Sequence, residues 1–229
     1  MLQIGVLIYP MMFDLDLVGP LTFFQRLGDA NVFYVARGAA AVTSDLGVSY
    51  AADHDFESCP KDLDILFVPG GLKGTIAAMR DDATLEFLAD HGARARYVTS
   101  VCTGSLLLGA AGLLNGYKAT GYWMVRDLLP LFGAEFVHQR VVIDRSRVTG
   151  AGVTAGIDFA LTLTAALRGT ERAETLQLLI EYDPQPPFDA GAPESAPAQV
   201  VEHLRETRQA ELIAAREAAQ SASRSLKRP

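Results

Sequence analysis

At 229 residues, 49% hydrophobic and 21% charged, the chain is long enough for one large domain and too apolar for extended disorder. A net charge of −7 with a pI near 5.1 repels phosphate backbones, and the body of the chain shows no basic patch, which argues against nucleic acid as a partner. Two cysteines, Cys59 and Cys102, are too few for a disulfide framework or a structural zinc site, and no run of about 18 apolar residues suggests a membrane span, so a cytoplasmic protein is expected.

In chain order, residues 4–9 read as a first strand; with no basic segment before them and no small-residue cleavage site, they do not read as a signal peptide. The loop that follows carries Asp14 and Asp16, Asp14 read as a capping residue. Gly19-Pro20 marks a helix start, with proline in the first turn, running to about residue 28. Further strands are expected at 32–36, 65–69 and 97–101, with helices at 75–91 and 103–113, the latter closed by Asn115-Gly116. A short hairpin at 141–144 and 147–149 precedes helices at 154–167 and 172–181. The proline-rich stretch from Asp183 cannot be regular structure, and it leads to a last helix at 199–219 and a basic tail at 224–229. The alternation predicts an α/β fold with a mostly parallel sheet covered on both faces. Residues 1–182 form one domain. Residues 183–229 form an arm that packs on the same domain or on a dimer partner.

The most informative stretch is Tyr97-Val98-Thr99-Ser100-Val101-Cys102-Thr103-Gly104-Ser105, a buried strand ending in Cys-Thr-Gly and a helix of small residues. This is the strand–turn–helix context of a nucleophile elbow, without the Gly-x-Ser-x-Gly signature. The helix start is expected to lower the pKa of Cys102 and populate its thiolate. Cys59 lies in a polar loop and reads as structural. His54, His91, His138 and His203 fall in segments that strand order does not bring to Cys102, which disfavours a Cys–His hydrolase. Asp16 lies at the carboxyl end of a central strand between two leucines, where burial raises a carboxyl pKa and allows proton donation near neutrality. Gly70-Gly71, closing the third strand at the same edge, offers backbone N–H groups for a developing anion.

Together, Leu15-Asp16-Leu17-Val18-Gly19-Pro20, Val68-Pro69-Gly70-Gly71 and Ser100-Val101-Cys102-Thr103-Gly104-Ser105 resemble the ThiJ/PfpI superfamily. Within it the isonitrile (isocyanide) hydratases match best, because aspartate stands at 16 where many relatives carry glutamate, and because of the arm Asp183-Pro184-Gln185-Pro186-Pro187-Phe188. The resemblance implies a flavodoxin-like sandwich, a homodimer, no metal or cofactor, and hydration of a small-molecule isonitrile to a formamide. It makes Cys102 the nucleophile, Asp16 the proton shuttle and Thr103 a supporting contact, with backbone amides near Gly70, Gly71 and Thr103 stabilising charge. Tyr122, Trp123 and the turn at Gly150 would shape the substrate pocket. Tyr122 is a departure, since relatives commonly carry histidine before the tryptophan. Three readings stay open beside it: a glyoxalase or deglycase acting on 2-oxoaldehydes, a cysteine-based redox sensor, and a non-catalytic sensor domain, for which the C-terminal segment lacks a helix-turn-helix pattern.

Overall fold

The computed structural model describes residues 1–38 and 40–226; the last three residues of the expected basic tail lie outside them. The chain runs β1 (Leu2–Leu7), α1 (Asp14–Phe24), β2 (Ala30–Ala36), the hairpin β3 (Val42–Thr43) and β4 (Ser49–Tyr50), β5 (His54–Asp55), β6 (Ile65–Val68), α2 (Leu72–Ala78), α3 (Asp82–Arg94) and β7 (Tyr97–Val101). It continues through α4 (Gly104–Ala110), β8 (Lys118–Ala119), a 3₁₀ helix (Arg126–Phe132), β9 (Glu135–Phe136), β10 (Val141–Asp144), β11 (Arg147–Gly150), α5 (Ala155–Arg168), α6 (Thr170–Leu179), α7 (Ala198–Thr207) and α8 (Gln209–Leu226).

Seven strands form one sheet in the order β10-β11-β7-β6-β1-β2-β5, parallel except for the β10–β11 hairpin. Every residue of β6 is buried, as expected of a central parallel strand covered on both faces. Helices α1, α5 and α6 pack together on one face, and α2, α3, α4 and α8 gather on the other, giving a flavodoxin-like α/β sandwich. Phe67 of β6 ties the first layer to the sheet. It meets Phe24 of α1 edge-on at 5.4 Å and stacks on Phe159 of α5 at 5.7 Å, each pair adding about 0.5–1.5 kcal/mol beyond its burial.

Several helix boundaries differ from the sequence reading, among them the end of α1, which stops at Phe24 and not near residue 28. Helix α1 begins at Asp14, so Pro20 lies inside it and leaves one intrahelical bond unmade. Tertiary ties outweigh the proline: Phe13 N–H donates to the Gly70 carbonyl at 2.8 Å, and Asp14 N–H to Asp45 at 3.0 Å. Asp14 is not the cap; it lies in the first turn, where its carboxylate accepts from Ser44 and Tyr50, each at 2.5 Å. The segment expected as one helix at 75–91 is two, because the Asp81 side chain accepts from the Thr84 amide and hydroxyl and caps a new start. Helix α4 stops at Ala110, short of the expected 113. The expected last helix is likewise two, broken at Arg208 with no glycine or proline to mark it. Beyond the break, α8 buries a stripe of Ala215, Ala218, Ala219 and Ala222 at helical spacing against α2, α4 and the 3₁₀ helix.

Candidate active site

Strand order decides which loops meet. The chain leaves β1 toward β2 on one side, while β6 and β7 lie on the other, so the sheet changes direction between β1 and β6. Crevices at the carboxyl ends of parallel strands open at such a point. The segment after β1 delivers Asp16, the one after β6 delivers Gly70 and Gly71, and the one after β7 delivers Cys102.

Cys102 has φ of +56°, in the left-handed region that costs a non-glycine residue energy and clusters at functional sites. The turn is held from three sides. Cys102 N–H donates to the Ala151 carbonyl at 2.7 Å, while its own carbonyl accepts the Tyr122 amide at 3.2 Å and the Ser105 hydroxyl at 3.1 Å. Gly104 permits the elbow, since a Cβ there would lie 2.8 Å from the Pro69 carbonyl oxygen and nearer still to that of Val68. The side chain is buried, and this overturns the expectation of a lowered thiol pKa. Burial drives the thiol well above its ordinary value and the neighbouring Asp16 adds to it. Backbone amides of Val153 and Thr103 directed at the sulfur pull it down without prevailing.

Asp16 is fully buried, and burial lifts its carboxyl from an ordinary 3.8 to about 7, the Cys102 thiol and the Gly70 amide holding it from rising further. Its Oδ2 accepts the Gly70 N–H at 3.0 Å, while Oδ1 is buried without a hydrogen-bond partner; the carboxyl as a whole interacts with the Cys102 thiol. A carboxyl near 7 beside a thiol raised above its normal range makes a pair that holds one proton between them above neutrality.

Thr103 is fixed by a buried chain whose proton order follows from its far end. The Tyr9 hydroxyl donates to the Pro69 carbonyl at 2.7 Å, an oxygen that only accepts. Thr75 then donates to Tyr9 at 3.1 Å and Thr103 to Thr75 at 2.8 Å, so the Thr103 hydroxyl proton is committed to Thr75. Thr103 Oγ1 in turn accepts the Gly71 N–H at 2.9 Å. The amides of Gly70 and Gly71, expected as anion donors, are thus both taken within the protein, one by Asp16 and one by Thr103. The amides of Val153 and Thr103 lie toward the sulfur instead.

Gly70 is nonetheless required by the packing, because a Cβ there would lie 2.6 Å from both Asp16 Oδ2 and the Thr103 amide nitrogen. Gly70→Ala is expected to displace Asp16 from the thiol. The variant should lose about 10²-fold in kcat/KM, as misplacements of about 1 Å do, and about 1–3 kcal/mol of stability. Steady-state turnover and a denaturation midpoint check the two parts.

A cavity of about 340 Å³ opens over Cys102 and Thr103. Gly71, Leu72, Met11, Phe13, Met124, Tyr122 and Val153 form much of its wall, and the charged Asp45, Lys73 and Arg208 also reach it. Two expected pocket residues are elsewhere. Trp123 turns to neighbouring clefts, where the Arg205 guanidinium lies 5.6 Å from its ring centroid. Gly150 lies beneath the elbow, its carbonyl 3.2 Å from the Cys102 amide. None of the four histidines lines this cavity. Val153, Met11, Phe13, Met124 and Arg208 escaped the sequence reading. Only Val153 had a signal there, as the residue following the Gly150-Ala151-Gly152 turn on the strand beside β7.

Comparison with known proteins places the chain among characterised relatives. The chain is 50% identical over 204 residues to an isonitrile hydratase from Pseudomonas putida, covering 89% of each chain. It superposes on the crystal structure of a ThiJ/PfpI family protein from Pseudomonas syringae with a TM-score of 0.92 and 52% identity, covering 95% of this chain and 90% of that one. A deglycase from Pyrococcus furiosus is more distant, 27% identical over 59% of this chain and 81% of its own. The DJ-1/PfpI family model matches residues 3–166, most of the α/β sandwich and all of the loops that carry Asp16, Gly70 and Cys102, and the chain belongs to that family.

Proposed function

We propose that the chain hydrates isonitriles, R–N≡C, to N-substituted formamides, R–NH–CHO, through a thioimidate on Cys102. The observation that carries this reading is the buried Asp16 carboxyl beside the Cys102 thiol, with one oxygen unpartnered and its pKa near 7. Addition to an isonitrile places both new bonds, C–H and C–S, on one terminal carbon. Proton donor and nucleophile must therefore converge on a single point, as Asp16 and Cys102 do. Asp16 takes the thiol proton as sulfur bonds to carbon and returns it to that carbon, giving R–N=CH–S–Cys102. Water then adds to the same carbon, Asp16 moving one of its protons to nitrogen. Breaking the C–S bond releases the formamide, and the hydroxyl proton returns to sulfur.

The same geometry offers 2-oxoaldehyde chemistry fewer donors than the sequence suggests. Attack on a carbonyl builds charge on oxygen and calls for donors there; the Gly70 and Gly71 amides are occupied, which leaves only those of Val153 and Thr103 near the sulfur. Similarity of 50% to a hydratase against 27% to a deglycase supports the same choice. Offering the protein an alkyl isonitrile and methylglyoxal side by side tests it. Formamide from the first, with little or no turnover of the second, is expected; the reverse outcome would move the function to the deglycase class.

Among the described residues no helix is long and apolar enough to cross a membrane. A cytoplasmic location fits the two unpaired cysteines. A homodimer is part of the proposal. The segment from Asp183 to Gly191 is exposed throughout, with Phe188 79% accessible, and a proline-rich arm that presents a phenylalanine suits burial against a second copy.

A further inference from the structure

Three charged side chains reach the cavity over Cys102: Asp45, Lys73 and Arg208. Asp45 is tethered, its Oδ1 accepting the Asp14 amide at 3.0 Å. The two cations are not. Among the described residues Lys73 makes no ion pair, and Arg208 has one carboxylate in reach, Glu211 at 3.7 Å on the next turn, with half of its own side chain exposed. Arg208 comes from the break between α7 and α8, so the arm folds back to set a guanidinium at a site whose chemistry is supplied by the sheet. Its charge reaches the Tyr122 hydroxyl, which it acts to lower against the stronger influence of burial.

A neutral alkyl isonitrile uses neither cation. At about 340 Å³ the cavity is near the small end of ligand sites, so a substrate with its terminal carbon at Cys102 spans the distance to the mouth in a short chain. With a net charge of −7 the protein as a whole offers an anion no attraction, and recognition of one must be local. We infer that the preferred substrates are isonitriles bearing a carboxylate, which Arg208 and Lys73 hold at the mouth while Cys102 and Asp16 work on the other end. The planar fork of the arginine matches a carboxylate, and charge-assisted hydrogen bonds of this kind are about twice as strong as neutral ones. The inference rests on the hydratase reading and names its substrate class.

The test is kcat/KM for a series of ω-isocyanoalkanoates of increasing chain length, each against its neutral methyl ester. At the best length the carboxylate is expected to exceed the ester by about tenfold, chiefly through KM. Arg208→Gln and Lys73→Gln should each reduce that ratio, the double variant should bring it near one, and Arg208→Lys should restore part of it. Added salt should lower the ratio in the wild type, because both cations are partly solvated. A ratio at or below one at every length, or one unchanged in the double variant, overturns the inference while ester hydration keeps the hydratase reading in place. Hydration of neither series removes that reading and the inference with it.

Discussion

Cys102→Ala is expected to reduce formamide formation by at least ~10⁴-fold, the scale on which removal of a covalent nucleophile acts. The loss should fall on kcat, since the walls of the cavity remain. Cys102→Ser should be nearly as inactive. A hydroxyl is a far weaker acid than a thiol, and a carboxyl that titrates near 7 cannot draw its proton away. Folding is not expected to suffer in either variant. The residue is held at φ of +56° by its backbone hydrogen bonds to Ala151, Tyr122 and Ser105, and none of these involves the sulfur. Circular dichroism and a thermal melt of the serine variant separate loss of chemistry from loss of structure.

Asp16→Asn is expected to move activity and stability in opposite directions. Activity should fall by about 10²–10⁴-fold, the usual contribution of a positioned acid–base group. Stability should rise at neutral pH and above. The folded carboxyl titrates near 7 against 3.8 when free, so it favours the folded state fully below about pH 4, and that contribution is lost as pH rises through 7. The difference corresponds to roughly 4 kcal/mol at 1.36 kcal/mol per pKa unit, an upper figure for what the asparagine variant regains at pH 8. The pH dependence of catalysis follows from the same pair. The working form holds one proton between Asp16 and Cys102, so kcat/KM should rise through about pH 7 and stay high until the thiol itself ionises. In the asparagine variant the rising limb should vanish. A wild-type profile already flat from pH 5 to 9 would show that Asp16 is not the titrating group.

That Cys102, Asp16 and Gly70 meet at one sheet edge is readable from residue order. A strand that ends in Cys-Thr-Gly before a run of small helical residues has few other uses, and Asp16 and Gly70 each follow a strand of the same parallel set. What could not be read belongs to packing between distant segments. The proton order of the Tyr9–Thr75–Thr103 chain, which commits the Thr103 hydroxyl to Thr75, needs three side chains from three separate segments. Arg208 reaches the cavity because a helix breaks where neither glycine nor proline stands. The raised thiol pKa lies outside residue order for the same reason, since a helix start is visible in sequence and the depth of burial around it is not. Tyr122 and Trp123 share one cleft and only Tyr122 also reaches the Cys102 cavity, a difference within an irregular segment that residue order does not reveal. The capping pair Asp81 and Thr84 was legible but hidden inside a longer apolar period.

The most direct measurement of the central claim is the intact mass of the protein quenched during turnover of a simple isonitrile such as para-nitrophenyl isocyanide, followed by mapping of the modified peptide. A thioimidate adds the whole substrate with nothing lost. The expected result is therefore a mass increase equal to one isonitrile, confined to the peptide that contains Cys102, decaying as formamide appears and absent from Cys102→Ala. Formamide produced at an undiminished rate by Cys102→Ala, with no adduct in either protein, would contradict a covalent mechanism at this cysteine.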